Sequence, residues 1–260
     1  MDPLSVLSAL QTDSVVRGAK DETVPVYIAI TPVFPGALLV MTGLGALGVL
    51  GPPSVTFLPV VMATLMMITG CIIVSWDALG RTIRVVDAHS ERATAYAEDL
   101  VNTLAVLGYD VSRLERMLER LRSVRTGLNA TLHPTISGAL VVLPYVGPIV
   151  SLASIGYLAL SIHSTLREHA RRERRLLEEA AKMAGMNPYK PPFVANTIKI
   201  PDTVKLPIGI AASVATCGAF LAYAMYGLAK DINEHVEGHE KLEAELTPAL
   251  EMTLEELVYG

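Results

Sequence analysis

Hydrophobic and charged positions in this chain are sorted into long blocks rather than mixed evenly. No Asp, Glu, Lys or Arg occurs from Thr23 to Trp76, from Thr126 to Leu166, or from Leu206 to Ala229. A helix that crosses a bilayer needs about 20 mainly apolar residues, and ionisable groups are costly inside it. The pattern predicts an all-α, polytopic helical membrane protein with apolar hairpins and amphipathic helices between them. The first block is broken at Leu50-Gly51-Pro52-Pro53-Ser54, where two prolines lack amide donors and a glycine loosens the backbone. Pro32–Leu50 and Val55–Trp76 then form the arms of a hairpin.

Between the apolar blocks the period changes. Leu100, Leu104, Leu107, Val111, Leu114, Leu118 and Leu121 recur at alternating spacings of four and three, a heptad seam. Gly108-Tyr109-Asp110 interrupts it, and Ser112-x-x-Glu115 reads as a capping box. Two helices are expected, over about 80–107 and 112–128. Their seam either packs within the chain or joins copies in a short coiled coil. The second block, Thr135 to His163, contains Leu143-Pro144-Tyr145-Val146-Gly147-Pro148, which suits a re-entrant hairpin better than one straight span. A basic helix, Arg167 to Lys182, and a Pro-rich linker, Pro188 to Val204, lead to the third block. The expected organisation is an N-terminal polar segment (1–22), a membrane hairpin (23–76), an amphipathic pair (77–130), a membrane or re-entrant hairpin (131–166), a basic helix with linker (167–205), a membrane segment (206–229) and an acidic helical tail (230–260).

Three of these segments resemble one another. Leu58-Pro59, Leu143-Pro144 and Leu206-Pro207 each open an apolar run that reaches an aromatic (Trp76, Tyr157, Tyr226). Each run passes into a charged helix carrying a histidine: His89, His169 and His235. The order points to a three-fold internal repeat. The stretch Tyr226-Gly-Leu-Ala-Lys-Asp-Ile-Asn-Glu-His235 and its counterpart ending Leu166-Arg-Glu-His169 resemble a small archaeal and bacterial membrane domain family of unknown function. The resemblance covers about 30 residues per copy. It implies architecture and no activity, and Trp76-Asp-Ala-Leu-Gly-Arg81 departs from it by lacking the Lys-Asp-Ile-Asn run.

Composition and charge refine this picture modestly. The net charge of −5 gives no reason to expect direct binding of nucleic acid. Cys71 and Cys217 lie inside apolar blocks and read as buried hydrophobes. With Gln11 the one glutamine, and ion-pair-rich polar segments, the composition leans toward a thermophile. Residues 1–22 carry no cleavable signal pattern, so the first apolar block is expected to stay as an anchor. The run Arg167, Arg171, Arg172, Arg174 and Arg175 directly follows the second block. It suggests cytoplasmic loops in a multi-pass protein of the cell membrane, with these arginines touching anionic lipid headgroups.

Candidate chemistry is sparse. His235, His239 and Glu243 share one helical face at spacings of four, a spacing able to hold Zn²⁺. With an acidic setting, a glycine at 238 and no fourth ligand indicated, a solvated helix face is the favoured reading there. His89, His133, His163 and His169 show no ligand spacing beyond the repeat. No phosphate-binding, zinc-protease or nucleophile motif occurs. No catalytic residue, cofactor or metal is therefore assigned. The expected function is a non-enzymatic membrane scaffold or assembly subunit. It would be a homo-oligomer or bind other membrane subunits through its helices, with the lipid bilayer around it. The alternative is a subunit of a channel, secretion or DNA-transfer machine.

Overall fold

The computed structural model describes Ser5, Thr23, Val24 and residues 57–124, 146–183, 197–202, 207, 208, 212 and 219–259. Among these residues the protein is helical: α1 spans Phe57–Val106, α2 Ser112–Arg122, α3 Val146–Met183 and α4 Ala219–Tyr259. Pro59 falls in the first turn of α1 and Pro148 in the first turn of α3. A first-turn proline removes no intrahelical hydrogen bond. Pro148 therefore lies in a helical start rather than at the bend of a hairpin. The first hairpin arm, Pro32–Leu50, and its turn lie outside the described residues.

The turn between α1 and α2 has a clear local cause. Gly108 adopts φ +86°, a left-handed conformation that glycine takes without a Cβ penalty. Its amide donates to the Ala105 carbonyl, and the Tyr109 amide reaches back to the Leu104 carbonyl, each at 3.1 Å. This pairing satisfies two terminal carbonyls and stops the helix. The start of α2 differs from the expected capping box. Val111 is the N-cap residue and makes no side-chain cap. The Asp110 carboxylate instead accepts the Ser112 amide at 3.1 Å.

Apolar positions on the helices pack into two clusters. The first joins Trp76, Leu79 and Ile83 of α1 with Ile155, Leu158 and Ile162 of α3 and Met225, Leu228 and Ile232 of α4. The second joins Leu100 and Leu104 with Leu114, Leu118 and Leu121, Leu176 and Leu177, and Leu242, Leu246 and Leu250. On α1, α3 and α4 alike, the first cluster uses earlier residues than the second. The three helices therefore run in the same direction. α2 runs back along α3, since Arg113 pairs with Glu179 at 2.9 Å while Arg172 donates to the Arg120 carbonyl at 2.5 Å.

These contacts correct the membrane reading. Among the described residues, no helix is long and apolar enough to cross a membrane. The multi-pass architecture, the transmembrane hairpins and the cell-membrane localisation are not supported. The physical reason lies in how the helices are built. The expected boundary at Trp76 does not exist, because α1 continues from Phe57 to Val106 and buries Trp76 in the first cluster. On α4, Ala219 to Ala229 precede Lys230, about 16 Å of helix at 1.5 Å per residue, roughly half a hydrocarbon core. Among the described residues, the ends of the apolar blocks, Trp76, Ile155 to Leu166 and Ala224 to Ala229, contribute to a shared intramolecular core, while Met66, Ile73, Val74, Tyr157, Tyr223 and Tyr226 are exposed. The scaffold and translocation readings both presupposed those spans.

Two short segments lie against α4. The Val24 amide donates to Asn233 Oδ1 at 2.8 Å, and Asn233 Nδ2 donates to the Val24 carbonyl at 3.1 Å. Val24 is thus buried rather than placed at a membrane boundary. Residues 197–202 cross α4 at Gly238, where a Cβ would lie 2.2 Å from the Thr197 carbonyl oxygen. Glycine is required there by a close backbone approach, and Ile198 is buried beside it. Gly227, on the same helix, has open space around its Cβ position. Gly238→Ala is expected to lower the unfolding free energy by about 1–3 kcal/mol through overpacking. Gly227→Ala is expected to stabilise by about 0.5–1 kcal/mol. Denaturant midpoints of the two variants check this, and matching midpoints would remove the role assigned to Gly238.

Candidate metal centre

Between the two apolar clusters lies a buried polar layer. Three parallel helices enter it with a histidine each: His89 from α1, His169 from α3 and His235 from α4. Burial on the three helices follows a common offset from that histidine. Three residues earlier stand Val86, Leu166 and Ile232; ten earlier, Leu79, Ala159 and Met225; seven later, Tyr96, Leu176 and Leu242. All nine are buried. The shared offset is what brings the histidines to one level. The aromatics Trp76, Tyr157 and Tyr226 do not follow it: Trp76 is buried, and the two tyrosines are exposed.

One turn further on, at the +4 position, the helices carry Ala93, Glu173 and His239. Glu173 is wholly buried at the centre of the layer. Its Oε2 lies 3.3 Å from His235 Nε2 and 3.8 Å from His169 Nε2, and its Oε1 meets His239 Nε2. His239 Nδ1 is 2.8 Å from Glu243 Oε1. The Ser90 hydroxyl is 3.1 Å from His169 Nδ1. These two contacts orient the rings, turning Nε2 of His169 and of His239 toward Glu173. The His89 ring packs edge-on to His235 and His239, with centroids 5.0 and 5.2 Å apart. One ligand atom from each of His89, His169 and His235 lies within 4.8 Å of the others. Nitrogens sharing a tetrahedral Zn²⁺ sit about 3.3 Å apart, from bonds of about 2.0–2.1 Å. Small ring rotations close that difference.

The electrostatics divide the layer in two. Burial, reinforced by the neighbouring imidazoles, pushes His169 down to about 3 and holds His89 well below its usual value. Both are neutral at physiological pH, the form that ligates metals. Burial alone would raise Glu173, but His239 and His235 outweigh it and hold the carboxyl well below the usual range. Burial likewise opposes protonation of His239, yet Glu173 and then Glu243 raise it to about 10. A neutral imidazole set thus faces a buried carboxylate. Both Glu173 oxygens, both His235 nitrogens and Nε2 of His169 and His239 have no aligned hydrogen-bond partner. These atoms face one another at the centre of the layer, an arrangement that a metal ion would fit.

The sequence-predicted residues lie elsewhere. Leu100, Leu104, Leu114, Leu118 and Leu121 are in the second apolar cluster, Val111 packs against it, and Leu107 is half-buried. The arginine run lies along α3 beside the polar layer. Arg171 and Arg172 pair with Glu168 at 3.6 and 2.7 Å, and Arg174 pairs with Glu178 at 2.9 Å. Arg167 is half-buried and Arg175 exposed. The solvated face expected at His235 and His239 is instead the inside of the bundle. The signal that finds the site was present in the repeat, since His89, His169 and His235 were its common element. His163, six residues before His169, is buried 4.0 Å from Asp231 and outside the layer. His133 lies outside the described residues.

The shifts fix a pH profile for the metal-stripped protein. His169 and His89 have lowered folded pKa values, so the unfolded chain binds more protons below about 6.5, and stability rises with pH from about 3 to 6.5. His239 has a raised folded pKa, so its contribution is complete below 6.5 and is lost as pH rises toward 10. Stability should peak near pH 6.5, and His239→Gln should flatten the alkaline limb. Urea unfolding across pH 4–10 checks this; an unchanged alkaline limb in the variant would remove the charge assigned to His239. No protein-family model, curated protein or solved structure matches the chain.

Proposed function

We propose that this chain is a metal-binding helical bundle protein. His89, His169 and His235 bind a divalent transition-metal ion, with Glu173 as the fourth ligand. The observation that carries the reading is the convergence of three buried histidines from three separate helices, with one ligand atom of each within 4.8 Å of the others, beside a buried carboxylate 3.3 Å from His235 and 3.8 Å from His169. Burial holds His169 and His89 in the neutral form, the form in which an imidazole nitrogen ligates a metal. A dication would join imidazoles from three helices to the buried carboxylate of Glu173. Three nitrogens and one carboxylate oxygen suit Zn²⁺ and the neighbouring first-row ions. Selectivity among them follows from geometry and supply more than from ligand type.

The ion would act first as a clamp. Its ligands come from α1, α3 and α4, so binding ties the parallel helices at the level between their two apolar clusters. Metal-stripped protein given Zn²⁺ or Co²⁺ at 100 times the dissociation constant is expected to gain about 2.7 kcal/mol of stability. Co²⁺ should give the visible absorption of a tetrahedral ion. His169→Ala should abolish both effects, while Glu178→Gln, on the outer face of α3, should leave them intact. Elemental analysis and thermal unfolding with Mn²⁺, Fe²⁺, Co²⁺, Ni²⁺, Cu²⁺ and Zn²⁺ complete the test. No bound metal and no stabilisation by any of these ions would refute the reading.

A further inference from the structure

The carboxylate of Glu173 is held from two sides. Its Oε2 lies 3.3 Å from His235 Nε2 and 3.8 Å from His169 Nε2, while its Oε1 meets His239 Nε2. The opposite edge of the His239 ring is engaged as well, with Nδ1 2.8 Å from Glu243 Oε1. His239 therefore stands between two carboxylates, with both nitrogens in use and none left for an ion. Its ring is also boxed in. It is buried, Tyr96 packs edge-on to it with centroids 5.8 Å apart, and His89 does so at 5.2 Å. His235, His239 and Glu243 stand four residues apart on α4, so they share one helical face. That face carries a proposed ligand, His235, together with the brace on another, Glu173.

A carboxylate can give a metal ion one oxygen or two. Beside three imidazole nitrogens, one oxygen completes the tetrahedral shell that suits Zn²⁺ and Co²⁺. A second oxygen makes the shell larger and richer in oxygen, which favours Mn²⁺. We propose that His239 sets the metal specificity of the site: by occupying Glu173 Oε1 it leaves Oε2 alone to the ion, and so restricts the site to four-coordinate ions of the Zn²⁺ and Co²⁺ type. The inference rests on the metal-binding reading above. His239 touches no ion and acts through Glu173, so it is a positioning residue, and Glu243 fixes it in turn. Outer-shell partners of this kind hold a ligand in one orientation. Without His239, Oε1 turns to the ion, the shell expands, and Mn²⁺ gains on Zn²⁺ and Co²⁺. These ions carry the same charge. A change in buried charge therefore shifts their affinities together and drops out of the ratio.

The ratio of affinities separates this proposal from the reading it rests on. Dissociation constants of Co²⁺, Zn²⁺ and Mn²⁺ are measured on metal-stripped full-length protein by competition with a chromogenic chelator. His239→Leu, which fills the ring's space without a donor, should lower the Co²⁺-to-Mn²⁺ affinity ratio by about tenfold or more. Its Co²⁺ absorption should weaken from that of a four-coordinate ion to that of a five-coordinate one. His239→Gln, which keeps an amide donor in reach of Oε1, should restore the wild-type ratio and spectrum. A wild-type ratio in His239→Leu overturns the proposal, as does an equal fall in His239→Leu and His239→Gln. Should His239→Leu fail to fold, the wild-type spectrum decides: the weak absorption of five- or six-coordinate Co²⁺ overturns the proposal and leaves the metal site standing. No ion bound to the wild type refutes the earlier reading as well.

Discussion

The structure turns on a carboxylate placed where water cannot reach it. Glu173 is wholly buried between two apolar clusters, with His169, His235 and His239 around it. An ionised carboxylate in such a place is tolerable only if it is paired and its oxygens are engaged, because the desolvation penalty of a lone charge is several kcal/mol. Every helix that touches Glu173 is therefore held to a narrow range of positions. A slip of α4 by one turn would replace His235 and His239 with Asp231 and His235 opposite the carboxylate. A like charge would then face the buried anion. Apolar side chains would tolerate that slip far better, since Leu, Ile and Met repack with modest cost. The polar layer sets the register, and the apolar clusters supply the affinity between helices.

That register explains the parallel arrangement. Each of α1, α3 and α4 carries its apolar half before its histidine and its leucine-rich second core after it. Parallel alignment superposes like on like at three levels. Antiparallel alignment would set the early residues of one helix against the late residues of another and misplace the layer. Parallel helices need long connections, and residues 107–145 and 184–218 provide them. α2 is part of the first connection. It uses Leu114, Leu118 and Leu121 to cover the second cluster, and Arg122 bridges to Glu98 at 2.5 Å to fasten it to α1. Residues 197–202 belong to the second connection and cross α4 where Gly238 lets the backbone pass.

Much of the local structure was legible in the sequence. The seam from Leu100 to Leu121, the glycine stop at Gly108 and the second helix at Ser112 all follow from periodicity and backbone chemistry. The destination of the apolar blocks was not. Composition alone does not distinguish a helix half that faces lipid from one that faces two like helices, and the parallel partners are far apart in sequence. The histidines illustrate the same limit. Spacing along one helix revealed only His235, His239 and Glu243, and an acidic neighbourhood made them look solvated. Glu173 gave no signal at all, sitting inside an arginine-rich run that reads as surface. Its neighbours Arg172 and Arg174 do face outward, to Glu168 and Glu178. The single inward position among them becomes visible only once α3 is placed against α4.

Folding and ligation are then one equilibrium. The proposed ligands come from three helices separated by about 60–80 residues of chain, so the unfolded protein has no preformed site, and the free energy of binding would appear as folding free energy. Without an ion, the layer is held by the Glu173–His239 pair and its Glu243 support, at the cost of keeping a proton on His239. With an ion at the three histidines, Glu173 gains a stronger partner on its Oε2 side. The same carboxylate thus serves both states. It pairs with a protonated imidazole while the site is empty and with a cation when the site is filled. A buried charge is retained through both, and the register that depends on it is retained with it. Changing Glu173 therefore acts on helix alignment and metal affinity together, whereas changing His89, which stands across the layer on α1, acts on the affinity and leaves the Glu173–His239 pair in place.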